Sequence, residues 1–158
     1  MNRFLRGLGV VALTVAAHVV LRYLPAIAGF FDFFLIVTVY YAMTTRQVNG
    51  MLTGGACGLF QDALSGPIIG MNAFSKALLG YSIGVLSTKV MLQSTSARML
   101  VLAVATLLEA GILFALHLVL GLSADFPASS EVLAGTLGNV LLGGALFAAL
   151  DRRRKRFR

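Results

Sequence analysis

Residues 99–120 read MLVLAVATLLEAGILFALHLVL, an apolar run interrupted only by Thr106, Glu109 and His117. A helix crossing the hydrocarbon of a bilayer takes about 20 apolar residues, and this run supplies them without a break. It does not alternate as a barrel strand would, and unpaired backbone groups are too costly in lipid. Helix is the only reading. Working outward, five further stretches share this character: 7–24, 28–43, 48–64, 70–91 and 132–150. Between them lie chain breakers. They are Pro25, Thr44-Thr45-Arg46, Ser65-Gly66-Pro67, Ser94-Thr95-Ser96, and Ser123 to Ser130 around Pro127. The third stretch is rich in glycine, so tilt, a kink or a re-entrant course is compatible with it.

Composition agrees. The chain is 58% hydrophobic and 12% charged, with a mean hydropathy of +0.89. Soluble domains carry roughly 25% charged residues. The expected fold is therefore an all-α integral membrane protein: one domain of six transmembrane helices over 1–150, then a basic tail at 151–158.

Lysines and arginines set the orientation. With a cytoplasmic N-terminus, one side holds Arg3, Arg6, Arg46, Lys89, Arg98, Arg152, Arg153, Arg154, Lys155, Arg156 and Arg158. The other side holds Arg22 alone, and Lys76 falls within a span. Asp32, Asp62, Asp125 and Glu131 lie toward the outer ends. Both termini are thus expected inside. The tail follows a span directly, so it reads as a topology anchor touching anionic lipid headgroups, with a docking site for a cytoplasmic protein possible in addition. Its charge does not call for nucleic acid. The first span imitates a signal peptide, with Arg3 and Arg6 before it and Ala26-Ile27-Ala28 after it. Its retention is expected, because losing it leaves an odd number of crossings. Cys57 stands alone, so there is no disulfide framework.

Ionisable groups inside a span cost about 2.5–3.5 kcal/mol each on insertion scales, so each needs a reason. At about 1.5 Å of rise per residue, Lys76 sits about 9 Å below the outer boundary, with His18 at a similar depth. Glu109 falls near the midplane and Asn139 between them; Asp32 and Asp62 sit at or near the outer surface. His18, Lys76, Glu109 and Asn139 form a candidate intramembrane polar network, with Lys76 pairing with Asp62 or Glu109. A structural network and a substrate pocket or proton path both fit. No catalytic, cofactor or metal constellation is present. His18 and His117 lack zinc spacing. Ser75 and Lys76 are helix neighbours that do not face each other, and no enzyme is expected.

Gly50, Gly54 and Gly58 recur every four residues, with Gly55 beside them, and Gly80 and Gly84 repeat the device. Such ridges admit a close helix, either inside the bundle or from a partner subunit. After this ridge comes GLFQDALSGPIIGMNAFSKALLGY, residues 58–81. Physically it is a helix ending near Asp62, a Ser65-Gly66-Pro67 turn, and a new helix opening at Gly70 and Asn72. Asp62 is placed to accept N–H bonds from the start of that helix, and Gly66 permits a positive φ.

That stretch closely resembles the rod shape-determining protein MreD family, whose pattern is G-(L/F)-x-x-D-x-(L/F)-S-G-x-x-(I/L)-G-x-N-A, followed by an apolar helix with Gly-Tyr. Gly58, Asp62, Leu64, Ser65, Gly66, Gly70, Asn72, Ala73, Gly80 and Tyr81 match it. Asp32 before the second span and Tyr40-Tyr41 at its end also fit. Lys76 departs from the pattern, standing where an apolar or small residue is expected, and residues 30–34 are unusually aromatic.

The resemblance implies a non-enzymatic scaffold of the bacterial elongasome in the inner membrane. Its implied partners are MreC, MreB, RodA and a penicillin-binding transpeptidase, and its role is peptidoglycan synthesis and cell shape. It also implies a fold like the substrate-binding (S) subunits of energy-coupling-factor (ECF) vitamin transporters. MreC would lay its span on the glycine-lined face and its outer part on the hairpin at Asp62–Gly70. The alternative is such a vitamin-binding subunit itself, with Ala12 and Ala16 against a coupling partner and Lys76, Glu109 and Asn139 lining a pocket. Short outer loops without tryptophan argue against it. A holin-like channel is disfavoured because the charges form no pore-facing stripe.

Overall fold

Asp32 opens the first of the described helices. Its Oδ1 accepts the Leu35 N–H at 2.9 Å, the side-chain cap that satisfies a helix's orphan amides. The computed structural model describes residues 31–65, 68–90, 94–122 and 129–155. Within them lie α1 Phe33–Thr44, α2 Gln47–Ser65, α3 Met71–Lys89, α4 Thr95–Val119 and α5 Ser129–Lys155. The described residues contain no strand. The first expected span, 7–24, and the start of the second, 28–30, lie outside the described residues. α5 continues to Lys155, so the beginning of the basic tail is helical.

Each helix end has a local cause. α1 stops where the hydroxyls of Thr44 and Thr45 turn back onto the carbonyls of Tyr40 and Tyr41. Ser94 caps α4 by accepting the Ala97 N–H at 3.2 Å. At the other end of α4, Gly121 takes a φ of +66°. There Leu122 N–H reaches the His117 carbonyl and Gly121 N–H the Leu118 carbonyl, which is a Schellman closure.

Two antiparallel hairpins, α2–α3 and α4–α5, pack around α1, which touches each of α2 to α5. Phe34, Leu35, Ile36, Val39 and Ala42 of α1 are fully buried. Leu35, Ile36, Val39 and Ala42 meet Leu79 and Ile83 of α3, Leu102 and Ala105 of α4, and Phe147 of α5 in the main core. The Tyr40 ring lies 5.5 Å from that of Phe147. A second cluster joins Phe34, Val37 and Cys57.

The hairpins differ in what holds them. In α2–α3, glycines remove the side chains between two backbones. A Cβ on Gly50 would sit 2.6 Å from the Gly80 carbonyl oxygen, and one on Gly54 would overlap the Lys76 carbonyl. A Cβ on Gly58 would overlap Asn72 and Ala73, and one on Gly84 would sit 2.5 Å from the Gln47 Cα. The ridge Gly50–Gly54–Gly58 is therefore filled by α3. A partner helix cannot lie along it, which corrects the expectation that MreC docks there.

The described helices with the length and hydropathy of a membrane span are on the other hairpin. Thr95–Val119 and Ser130–Ala149 are each long and apolar enough to cross a membrane, and little of either is buried. α2 and α3 each have 19 residues, but their glycines and polar side chains dilute the hydropathy. α1 has 12 residues, about 18 Å at the usual helical rise, against ~30 Å of hydrocarbon. It is a core helix shorter than the expected 28–43 segment, because Asp32 starts it late.

Candidate functional site

Two polar assemblies carry the residues singled out in the sequence. The first surrounds Lys76, which is completely buried on α3. Its Nζ lies 2.8 Å from Asp32 Oδ2 and bonds Glu109 Oε1 as well. Asp32 Oδ2 also accepts from Gln61 Nε2 at 3.2 Å. The Asp32 backbone N–H donates to Asn139 Oδ1 at 2.8 Å, and Asn139 Nδ2 reaches Thr106 Oγ1 at 3.3 Å. The cluster draws Gln61 from α2, Lys76 from α3, Thr106 and Glu109 from α4 and Asn139 from α5 to the start of α1.

Asp32, expected at or near the outer surface, was not among the expected partners of Lys76; its carboxylate lies within hydrogen-bond distance of the ammonium. The signal was present, since an acid flanked by phenylalanines in an apolar run needs a partner, and Lys76 is the buried cation. Lys76 pairs with Glu109, one of its two expected partners. The other, Asp62, is committed elsewhere. Asn139 is 2% exposed and lies in the cluster, while His18 lies outside the described residues.

Two carboxylates converge on one ammonium, so geometry sets the worth of the arrangement. Taking ions out of water is expensive, and attraction repays it only when the remaining lone pairs and protons find partners. Asp32 has such partners: a backbone amide, a side-chain amide and Lys76. Chemically the cluster ties five helices together. Ser75 Oγ is buried without a hydrogen-bond partner among the described residues, so Lys76 does not act on it. No group of three His, Cys, Asp or Glu side chains among the described residues is placed to hold a metal.

The second assembly is the turn from α2 to α3. Asp62 is 1% exposed, and its two oxygens accept four N–H groups. Oδ1 takes the Asn72 N–H at 3.1 Å and Asn72 Nδ2 at 2.8 Å. Oδ2 takes Gly70 N–H at 2.8 Å and Ala73 N–H at 3.1 Å. The three backbone amides are the orphans at the start of α3, where negative charge is favoured. Gly70 holds a φ of +108°, a conformation that penalises any Cβ. The expected left-handed residue was Gly66, which lies outside the described residues; Gly70 is one that the structure shows. Ser65 ends α2. The hairpin presents Ile69, 75% exposed, so it is rigid inside and apolar at its tip.

The sequence model of a known family, described as rod shape-determining protein MreD, matches residues 1–148. No curated protein and no solved structure matches the chain. The matched stretch takes in the α2–α3 hairpin, α4, α5 as far as residue 148, the charge cluster and the Asp62 turn. The chain belongs to the rod shape-determining protein MreD family, and is accordingly a membrane protein of cell-shape control.

Proposed function

We propose that this chain is a non-enzymatic scaffold of the bacterial cell-elongation complex that binds MreC directly. In this reading it stands with RodA, a penicillin-binding transpeptidase and MreB, and supports lateral peptidoglycan synthesis. It crosses the cytoplasmic (inner) membrane six times with both termini inside, in a fold resembling S subunits, and its basic tail rests on anionic lipid. The observation that carries the reading is the family match over residues 1–148. The distribution of basic residues supports the topology. A scaffold rather than a vitamin-binding subunit is supported by the polar groups, since Asp32, Lys76, Glu109 and Asn139 each bond another member of their own cluster.

The surface offered to the outer part of MreC is the hairpin Asp62–Gly70. Asp62 holds the amides of Gly70, Asn72 and Ala73, and Ile69 at the tip touches little of its own chain. The test is affinity purification of the tagged protein from its host in mild detergent, followed by mass spectrometry. Recovery of MreC, RodA and a transpeptidase is expected, and Ile69→Asp should lose MreC while the protein stays inserted and folded. Recovery of ABC-type ATPases with a coupling subunit instead would overturn the reading.

A further inference from the structure

The outward faces of α4 and α5 are what lipid requires: Leu100, Val104, Leu107, Leu108 and Leu118 on one, Leu133, Leu137 and Leu141 on the other. α3 differs. One side of it is filled by α2 through Gly80 and Gly84, and Leu79 and Ile83 enter the core. Its remaining face exposes Phe74 at 55%, Leu78 at 43% and Tyr81 at 45%, with Ser82 exposed beside them. Val85 and Thr88 extend the row, so positions 74, 78, 81, 85 and 88 follow the four-three spacing of a helix seam.

Tyr81 is out of place on a lipid-facing surface. It lies ten residues into α3, about 15 Å along the helix and so at the middle of a ~30 Å hydrocarbon layer. Membrane tyrosines gather instead at the two interfaces. Its hydroxyl makes no hydrogen bond among the described residues, whereas the Ser82 hydroxyl donates to the Leu78 carbonyl at 2.9 Å. An acyl chain offers a phenol no acceptor, and a hydroxyl without one is costly in hydrocarbon.

We infer that this face is where a second copy of the chain docks, α3 against α3, with each Tyr81 hydroxyl donating to Ser82 Oγ of the other copy. The reading rests on the membrane-spanning course of α3 proposed above. A symmetric pair in a membrane has its two-fold axis along the bilayer normal, so like depths meet. Tyr81 then faces the level of Leu78, Ser82 and Val85 of its partner. Ser82 Oγ has given its own proton to Leu78 and keeps lone pairs to accept. Donor and acceptor are consecutive residues, both exposed, so each copy offers both at one level, as an isologous contact demands.

The test is disulfide cross-linking of the full chain in native membranes. Leu78→Cys and Ser82→Cys are compared with Val104→Cys on α4 and Leu137→Cys on α5. Cys57 is fully buried and stays in place, with the unsubstituted chain giving its background. The expected result is a covalent dimer from the two α3 positions and none from the controls. Tyr81→Phe should lower the association constant of differently tagged copies by about sevenfold, the loss of two hydrogen bonds of the strength usual between membrane helices. It should leave the melting temperature of the monomer unchanged. Equal cross-linking at all four positions, no dimer, or an adduct with a different protein overturns the inference. Ready labelling of Leu78→Cys by a membrane-impermeant maleimide refutes the spanning course of α3 itself. That failure is separate from failure of the dimer.

Discussion

Replacing Lys76 with methionine keeps the length of the side chain and deletes its charge. Lys76 Nζ is shared by Asp32 Oδ2 and Glu109 Oε1, and the lysine is fully buried. Removing one partner of a buried ion pair costs about 3–5 kcal/mol, mainly because the other charge is left uncompensated. Here two carboxylates are stranded side by side, so the expected loss is at the upper end, ~4–5 kcal/mol. Total stability of a small domain is about 5–15 kcal/mol, so Lys76→Met should leave little folded protein after mild heating. The decisive variant is Lys76→Met with Glu109→Gln. It removes one stranded charge, while Asp32 keeps the Leu35 amide and Gln61. About 2 kcal/mol should return. The assay is unfolding of a fluorescent-protein fusion in dodecyl maltoside by added denaturing detergent, followed by size exclusion. The double variant should be more stable than Lys76→Met alone, a coupling that distant sites do not show. Additive losses, or a Lys76→Met protein as stable as the parent, would refute the ionic role of the cluster.

Asp62→Asn should cost about 2–4 kcal/mol, nearly as much as Asp62→Ala, because the new amide points its hydrogens at two of the four donors the carboxylate now serves. The same unfolding assay reads it. Gly54→Ala should lower stability by about 1–3 kcal/mol, since the added methyl meets the Lys76 carbonyl. The loss should appear in the protein expressed alone, without MreC, and an unchanged melt would show that the α2–α3 contact is looser than described. Asn139→Leu leaves the Asp32 amide without its acceptor and should cost about 1–3 kcal/mol; retention of full stability would separate Asn139 from the cluster.

Much of the architecture follows from short-range signals. The helices α2 to α5 could be placed because apolar length, glycine spacing and capping residues act within a few turns of the chain. The Asp62 turn was readable for the same reason: acceptor and amides lie within eleven residues of one another. α1 was less so. Its apolar run begins well before Asp32, and only the bonds from Leu35 and to Asn139 show why the helix starts at Phe33. The glycine ridge could be seen but not assigned, since small residues admit a close helix without naming it.

Solvent, helical class, family and the need to compensate Lys76 and Glu109 were all legible along the chain, because hydropathy and charge are sums over residues. Who meets whom was not, and came from packing. Asp32 reaches Lys76 across 44 positions of the chain, and α3 rather than a partner fills the ridge on α2. Such pairings depend on how helices pack around α1, and packing is a property of facing surfaces that no single helix carries in its own sequence.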